Sequence, residues 1–480
     1  MINFVLNMKF WTKLCVIFIS LVLMESCRKD DAVLKSAGTL GFSKDTVFFD
    51  TVFTRLPNTA YPRSINKRFM IRNPYKETVF VNARVMGGSA SSYRFNVDGR
   101  FGKEIADIEI LPKDSAWVFV ECTLEPNQLT QPAIVRDSIE FETNGNRQYV
   151  QLAAYGWDAY YFNDTLFEQD VTLTKTDKPY VIVNTCFVDE GVTMTIGPGV
   201  HIYNTANSVF VSNPNRIINV SAINVLGTLK VNGTADNPVI FEGDRLDVKF
   251  KDLPGQWRGI RFYKGSVNNE IRHSVIKNAT IGVWVDSLSE NTQENLKIYN
   301  TIIKNISAYG VLGLTAQIYM ENSVVANCGA NTVLGYWGGY YTFRHCTFYA
   351  GGGRRDPHLI INNQLRNDKN VVIRTFPVGY AFFNTIIWGP NQTEIGFDIN
   401  TNVVPDFAVF RSSIIRSKII FGGNDLLFNT DPLFKQIGTS DFKLNAGSSA
   451  INKANVTFSV PADLDGKTRD SEPDIGAYEF

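Results

Sequence analysis

A four-residue pattern that recurs six times constrains the fold of this chain more than any other sequence feature. Each copy starts with His, Asn or Ser, continues with Ser, Thr or Cys, and ends with two residues that are β-branched or aromatic. The first positions of the copies are His273, Asn300, Asn322, His345, Asn384 and Ser412. Their spacings are 27, 22, 23, 39 and 28 residues. Repeats with a period of about 20 to 50 residues are typical of solenoids, so the pattern predicts one.

Two further positions recur in step with this pattern. Asparagine stands five residues after the first position in three copies, at Asn278, Asn305 and Asn327. A small residue followed by Val occurs nine or ten residues after the first position, as in Gly282-Val283. Asn tolerates the left-handed backbone of a tight corner, and stacked amide side chains can hydrogen-bond from coil to coil. We therefore predict coils of short strands with an asparagine corner, in which one branched residue of each pair fills the interior.

The segment before the repeat has the same strand-and-turn character. Its strand runs are broken by Gly, as in Ile223–Thr234, Pro238–Phe241 and Trp257–Phe262. Together with the repeat, these runs resemble the coils of right-handed parallel β-helices of the pectate-lyase-like kind. We predict this fold for residues 158–430.

Residues 431–480 form a distinctive C-terminal segment. Its pieces, in order, are Asp431-Pro-Leu-Phe434, Asp441-Phe-Lys-Leu444, Gly447-Ser-Ser-Ala-Ile451, Asp463-Leu-Asp-Gly466, Arg469 and Asp474-Ile-Gly-Ala-Tyr-Glu479. This ordered series resembles the C-terminal segment of many bacterial β-helix surface proteins. A solenoid must cover the open edge of its last coil. We predict that the segment is this cap and that Arg469 pairs with a nearby carboxylate.

Residues 41–157 have the pattern of a different β domain. Apolar and polar residues alternate in runs such as Val79-Phe-Val81, Trp117–Val120 and Tyr149–Leu152, with turn sequences such as Asn144-Gly145 between them. Short alternating strands at this spacing indicate an antiparallel β-sandwich. The architecture resembles immunoglobulin-like modules, although the chain has no Cys-Trp-Cys signature. The predicted fold class is therefore all-β, with an immunoglobulin-like β-sandwich followed by a right-handed parallel β-helix.

The N-terminus has the features of a targeting segment. Lys9 and Lys13 precede an apolar run of 11 residues, Leu14–Met24. This run is shorter than the roughly 20 apolar residues that span a bilayer, and it fits the apolar region of a signal peptide. We predict a signal peptide at residues 1–26.

The residues around Cys27 resemble a lipoprotein processing site. Leu23-Met-Glu-Ser-Cys27 resembles a bacterial lipobox, with Glu25 as a departure from it. Arg28-Lys-Asp-Asp31 resembles the signal by which Bacteroidetes-type lipoproteins reach the outer face of the outer membrane. The resemblance implies lipidation of Cys27, a tether at 27–40, and membrane lipid as a partner of the N-terminal acyl chains. The alternative is an ordinary signal peptide with an incidental cysteine.

Composition and residue spacing bear on partners and cofactors. The 47 basic and 47 acidic residues balance, so we predict no nucleic-acid partner. Four further cysteines lack metal-binding spacing and are expected to be buried and unpaired: Cys122, Cys186, Cys328 and Cys346. We predict no cofactor and no metal site. Asp463-Leu-Asp-Gly466 is a weak hint of calcium, and a structural turn is the favoured interpretation.

No catalytic residue is assigned from the sequence. Right-handed β-helices include polysaccharide lyases, hydrolases and esterases as well as adhesins and structural proteins, so the fold does not decide function. Acidic residues near the coils do not share one register: Asp286, Glu294, Glu321 and Glu394. The sequence therefore predicts no ladder of carboxylates.

Two segments are candidates for carbohydrate binding. The 39-residue spacing after His345 predicts an extruded loop. Its candidate residues are Arg354, Arg355, Asp356 and His358. Arg can bind the carboxylate of an acidic sugar through two parallel hydrogen bonds, whereas the alternative is a solvated surface loop. The second candidate is a platform of aromatic rings flanked by glycines: Tyr336, Trp337 and Tyr340.

These observations favour a lipid-anchored protein of the outer membrane that faces the extracellular side. Its favoured function is non-catalytic recognition of a polysaccharide through a face of the β-helix. A polysaccharide lyase or glycoside hydrolase is the first alternative, and a structural or adhesive surface protein is the second.

Overall fold

The structure is a computed structural model of the chain. It describes residues 32–56, 66–126, 130–206, 221–286, 294–351, 357–400, 402 and 404–480, and the backbone of 208–212 and 215–219. The predicted signal peptide, the predicted lipidation site Cys27 and three candidate loop residues, Arg354, Arg355 and Asp356, lie outside these ranges. Two compact units are present, of which the first ends at Gly156 and the second extends from Trp157 to Phe480, with short earlier segments joining the second.

The first unit is a β-sandwich. Its strands within the described residues are β1 (Gly41–Phe42), β2 (Thr46–Phe53), β3 (Lys67–Arg72), β4 (Val79–Val85), β5 (Tyr93–Val97), β6 (Arg100–Gly102), β7 (Glu104–Ile110), β8 (Ser115–Cys122), β9 (Ala133–Thr143) and β10 (Asn146–Trp157). They form two five-stranded sheets in the orders β1-β3-β8-β5-β6 and β2-β10-β9-β4-β7. Alternate residues point inward, so that Val79, Val81, Ala83 and Val85 of β4 are buried in a core shared by both sheets.

The second unit is a parallel β-helix. Its first strands are β11 (Tyr160–Phe162), β12 (Thr165–Phe167), β13 (Val171–Leu173), β14 (Tyr180–Ile182), β15 (Thr185–Val188), β16 (Thr193–Ile196), β17 (His201–Asn204), β18 (Ser208–Ser212), β19 (Asn215–Asn219), β20 (Ala222–Val225), β21 (Thr228–Asn232), β22 (Val239–Gly243), β23 (Ile260–Phe262), β24 (Asn269–Lys277) and β25 (Ile281–Val285). They are followed by β26 (Leu296–Ile306), β27 (Tyr309–Glu321), β28 (Val324–Cys328), β29 (Asn331–Arg344), β30 (Thr347–Tyr349), β31 (Leu359–Asn362), β32 (Gln364–Arg366), β33 (Val372–Thr375), β34 (Val378–Phe383), β35 (Ile386–Trp388), β36 (Ile395–Asp398), β37 (Phe407–Arg411), β38 (Ile414–Ile415), β39 (Leu427–Phe428), β40 (Phe434–Gln436) and β41 (Asp441–Leu444).

Among the described residues, 25 of these strands join one continuous sheet, and β18–β19, β32–β33 and β40–β41 form separate hairpins. Short 3-10 helices occur at Gly88–Ala90, Ile437–Thr439 and Val456–Phe458. The two architectures confirm the predicted all-β fold class. In the described part of the chain, no helix is long and apolar enough to cross a membrane.

Each central coil of the β-helix has three faces. The first face contains 269–272, 296–299, 318–321 and 341–344; the second contains 274–277, 301–304, 324–326 and 347–349; the third contains 281–285, 309–314 and 331–336. The predicted registers stack as the repeat requires. Ile303, for example, pairs with Ile276 below it and Val325 above it, and Val311 pairs with Val283 and Val333.

The chain turns at two corners per coil that have a left-handed backbone. One is the asparagine corner, where Asn278, Asn305 and Asn327 have φ of 64°, 54° and 53°. The other is the first position of the repeat itself, and all six of its residues have φ between 42° and 51°. The amide ladder is limited, because Asn327 Nδ2 lies 3.5 Å from Asn305 Oδ1 while Asn278 Nδ2 donates to the backbone oxygens of Lys251 and Leu253.

The paired branched residues of the repeat have different surroundings. The second member fills the interior and is fully buried in every copy: Ile276, Ile303, Val325, Phe348, Ile387 and Ile415. In the second, third, fifth and sixth copies, the first member packs outward in a separate cluster with the C-terminal segment, as Ile302, Val324 and Ile386 do with Phe442 and Ile475.

The C-terminal segment therefore extends along the side of the helix. Asn300 Nδ2 donates to Asp463 O (3.3 Å), Asn322 Nδ2 to Ala462 O (2.6 Å) and Asn384 Nδ2 to Asn455 O (3.0 Å). These contacts cross several coils and go beyond the predicted cap over the last one. Arg469 forms the predicted ion pair, with 2.9 Å between its guanidinium and Glu479 Oε2.

Candidate functional site

The structure contradicts the prediction that His358 belongs to an accessible sugar-binding surface. Its side chain is buried, with 2% exposed, and Nδ1 lies 2.6 Å from Thr332 Oγ1. Burial lowers the pKa of His358 to about 3, so the imidazole is neutral at physiological pH. The residue follows the loop directly and enters the coil, where tertiary packing removes it from solvent.

The predicted aromatic platform is divided between two faces. Tyr336 pairs with Leu314 on the third face, whereas Tyr340 pairs with Gln317 on the first. Gly338 and Gly339, with φ of 78° and 109°, turn the chain between them. The hydroxyl of Tyr340 donates to Asp406 at 2.6 Å. The rings of Tyr336 and Trp337 are in contact, with centroids 5.1 Å apart and planes tilted by 36°, whereas Tyr340 lies beyond the glycine turn, so the three rings do not form one flat surface.

The first face carries a different row of side chains, which we call the tyrosine–arginine face. It consists of Lys230, Glu270, Arg272, Lys297, Tyr299, Tyr319, Glu321 and Arg344, all half-buried. Two columns of Cα partners build it, Lys230–Glu270–Lys297–Tyr319 and Arg272–Tyr299–Glu321–Arg344. These positions point outward because the alternate residues, such as Ile271 and Ile298, fill the interior.

Contacts within this face hold the two tyrosine rings in place. The guanidinium of Arg272 lies 3.9 Å from the centroid of the Tyr299 ring, and the Tyr299 and Tyr319 centroids are 5.7 Å apart. The Tyr319 hydroxyl donates to Glu321 Oε2 at 2.5 Å. Burial and this hydrogen bond raise the pKa of Tyr319, which keeps the hydroxyl protonated. Arg272 also forms an ion pair with Glu270.

Arg344 is a cation of the face without an ion-pair partner in the described part of the chain. Its Nε is buried and has no hydrogen-bond partner among those residues. Among the residues that the structure describes, no carboxylate oxygen lies within 4.0 Å of its guanidinium, although Glu321 is its strand partner. The guanidinium is 6.0 Å from the centroid of Tyr319. This cation is therefore available to a ligand with a negative group.

The described residues contain no group of three or more His, Cys, Asp or Glu side chains arranged to hold a metal ion. Asp463, the start of the weak calcium hint, accepts hydrogen bonds at Oδ1 from the backbone of Asp465 and Lys467 and at Oδ2 from Glu479. Its oxygens thus stabilise a turn. The four cysteines are buried as predicted, and none of them forms a disulfide within the described residues.

Sequence reasoning missed the tyrosine–arginine face, although a signal exists. Its residues stand one and three positions before the first position of the repeat, as Glu270 and Arg272 do before His273. The same offsets give Lys297 and Tyr299. The sequence analysis searched for carboxylates that recur at one position of the repeat. It missed this face because the same position carries a cation, an aromatic ring or a carboxylate in different coils.

Comparison with known families agrees with the fold. Residues 165–283, from β12 into β25, match the family model described as "Pectate-lyase like beta helix domain". Part of the tyrosine–arginine face lies within this match, and its tyrosines lie beyond it. Comparison with curated proteins finds no significant match.

Solved structures show remote similarity only. The chaperone DraB of E. coli is 8% identical over 26% of this chain, with a TM-score of 0.17, and a family 123 glycoside hydrolase from Clostridium perfringens is 9% identical over 26%, with a TM-score of 0.19. The chain spans 58% and 31% of these two proteins. The catalytic unit of a GH87 alpha-1,3-glucanase from Streptomyces thermodiastaticus is 10% identical over 76% of both chains, with a TM-score of 0.25. TM-scores this low carry no argument about function.

Proposed function

We propose that this protein is a surface lipoprotein that binds a polysaccharide on the tyrosine–arginine face. The observation that carries the proposal is the pair of tyrosine rings in successive coils, Tyr299 and Tyr319, fixed 5.7 Å apart and bordered by ionic groups. Aromatic rings present an apolar surface to the C–H face of a sugar, while the neighbouring carboxylates and cations bind its hydroxyls. Coils that repeat at about 4.8 Å arrange these groups along a line that an extended chain can follow.

Arg344 favours an acidic polysaccharide. A guanidinium without a carboxylate partner can form two parallel hydrogen bonds with a sugar carboxylate. The sequence suggested carboxylate binding for the loop residues Arg354 and Arg355. We assign it instead to Arg344, which lies on strand β29.

The test measures binding of the purified protein to a panel of neutral and acidic polysaccharides by affinity electrophoresis and calorimetry. Tyr299→Ala and Tyr319→Ala should weaken binding by roughly 10-fold or more, since loss of one stacked ring costs about 1–3 kcal/mol. Tyr309→Ala is the matched control, because this half-buried tyrosine lies on the third face. Equal affinity in all four proteins would remove the face from consideration.

An enzyme is the second candidate, because two carboxylates and two arginines share this face. Glu270 and Glu321 flank the tyrosine pair, and glycoside hydrolysis uses two carboxylates. The same polysaccharides should then release new reducing ends or unsaturated products. Glu270→Gln and Glu321→Gln would abolish turnover and keep binding. If no product forms from any polysaccharide of the panel, the enzyme is rejected and binding is the only proposed function that remains.

The anchoring part of the proposal rests on the resemblance of Leu23–Cys27 to a lipobox. Metabolic labelling with a fatty acid should modify the wild-type protein and not Cys27→Ser. Protease treatment of intact cells should digest the protein if it faces outward. Labelling that persists in Cys27→Ser would contradict the anchor.

A further inference from the structure

A second cluster of charged groups lies on the second face of the helix. Glu242 is buried, with 5% exposed, and accepts contacts from His201 Nε2 and Lys277 Nζ, both at 2.6 Å. Burial raises the pKa of Glu242, but the hydrogen bonds from His201 and Lys277 outweigh burial and keep the pKa below its usual value. The carboxylate is therefore ionised and fully engaged.

Lys304 continues the same column and has no such partner. It is the Cα partner of Lys277 in the next coil, so the two side chains leave the sheet in the same direction about 4.8 Å apart. Like charges directly opposite each other on neighbouring strands destabilise a sheet. In the described part of the chain, no carboxylate oxygen lies within 4.0 Å of the Lys304 ammonium. The following position in the column is the apolar Ala326.

The surroundings of Lys304 increase the electrostatic cost of its charge. The side chain is half-buried, and its pKa is lowered first by burial and then by Lys277, against a favourable contribution from Asp252. The fold does not require a second lysine there, because any polar side chain of similar length would fill the position without repulsion. A bound negative group between the two ammonium groups would convert this repulsion into attraction.

We propose that Lys277 and Lys304 form a binding site for an oxyanion, namely a carboxylate, sulfate or phosphate group. Lys277 contributes an ammonium oriented by Glu242, and Lys304 contributes the charge that this carboxylate does not neutralise. The site is on the second face and is separate from the tyrosine–arginine face, so it stands whether or not that face binds a polysaccharide. Its ligand group can belong to a free inorganic ion or to a substituent on a glycan.

The first test measures the melting temperature in sodium sulfate, sodium phosphate, sodium glucuronate and an oligo-uronide, each against sodium chloride of equal ionic strength. Wild type should gain about 2 °C or more at ten times the dissociation constant. Lys304→Met keeps the apolar stem and should fold at least as well, because the repulsion is removed, but it should lose this gain.

Lys443→Met is the matched control, since Lys443 is already paired with Asp465 at 2.6 Å and lies in the C-terminal segment, outside both proposed sites. It should retain the gain, and any general effect of sulfate on protein stability will be the same in all three proteins. An equal gain from the small anions sulfate, phosphate and glucuronate in Lys304→Met and wild type would overturn the proposal, as would the absence of a gain in wild type with all four anions.

The second test reads the site without unfolding the protein. Limiting acetylation followed by mass spectrometry should show that a bound oxyanion slows modification of Lys304 about fivefold or more, while Lys443 reacts at an unchanged rate. Protection by sulfate or phosphate identifies an inorganic or ester ligand, and protection by the uronides alone identifies a glycan carboxylate. Lys304 reactivity that none of the anions changes would reject the site.

Discussion

At the scale of single residues, Ile303 tests the interior of the coil. It is fully buried between Ile276 and Val325. Ile303→Asp places an unpaired charge there and should lower the free energy of unfolding by several kcal/mol, about 3–5. The neighbouring Lys304 faces outward and is half-buried, so Lys304→Asp should cost clearly less, about 1 kcal/mol or less, because attraction to Lys277 offsets the loss of the favourable contribution of Asp252. Denaturant unfolding checks both, and equal midpoints for the two variants would contradict the alternation of the strand.

His358 makes stability depend on pH. The unfolded chain binds a proton at the ordinary histidine pKa of about 6.5, whereas burial lowers the folded pKa to about 3. Below pH 6.5 the unfolded state therefore binds a proton that the folded state does not. As the pH falls from 6.5 toward 3, this histidine lowers the free energy of unfolding by up to about 1.4 kcal/mol per pH unit.

The variant His358→Asn isolates this effect, because the amide replaces Nδ1 opposite Thr332 and does not titrate. We expect the free energy of unfolding of the variant to fall less steeply than that of wild type between pH 6.5 and 4. Unfolding curves at several pH values provide the slopes. Identical slopes in the two proteins would show that His358 is protonated in the folded state.

At the scale of elements, the repeat predicts the strands and their registers. Successive coils of a β-helix place the same residue type at the same corner, so each recurrence in the sequence marks the start of an equivalent strand. The branched pairs, the asparagine corner and the Gly-Val positions all stack as the sequence indicates. The sequence did not predict the second corner, which the structure places at the first position of the copies, where His, Asn and Ser all have a left-handed backbone. Local sequence is sufficient here because each coil repeats the same local geometry.

The candidate site could not be predicted to the same extent. The residues of the tyrosine–arginine face stand at constant offsets from the repeat, but their type changes from coil to coil, so no recurring residue marks the face in the sequence. Burial of His358 likewise depends on packing that no local pattern encodes. Tyr336 and Tyr340 are close in sequence but diverge because two glycines turn the chain between them.

At the scale of the whole molecule, the C-terminal segment completes the β-helix by covering the outward apolar residues of its second face from Ile302 onward. The outward branched residues would expose an apolar stripe, but Phe434, Phe442 and Ile475 pack on them. The segment thus contributes a hydrophobic core of its own in addition to the interior of the coils. Buried polar contacts also attach the segment to the coils, among them the hydrogen bond from Arg469 to Asn322.

Arg469 supplies the last prediction. Its guanidinium bonds to Glu479 Oε2 (2.9 Å), Asn322 Oδ1 (3.1 Å) and Gly476 O (2.9 Å), and it is nearly fully buried. Arg469→Met leaves the buried Glu479 carboxylate without its cation, which should cost about 3–5 kcal/mol. We expect a lower unfolding midpoint and rapid proteolysis within the C-terminal segment, with the fragments identified by mass spectrometry.

The exposed pair Lys443–Asp465 provides the comparison for this prediction. Its two groups are 2.6 Å apart, with side chains 45% and 49% exposed, so Lys443→Met should cost at most about 1 kcal/mol. If Arg469→Met were no more sensitive to protease than Lys443→Met, the apolar contacts alone would hold the segment. The larger effect at Arg469 is expected because its partner Glu479 is buried. Removing Arg469 leaves the Glu479 carboxylate unpaired and away from water, whereas water solvates Asp465 when Lys443 is removed.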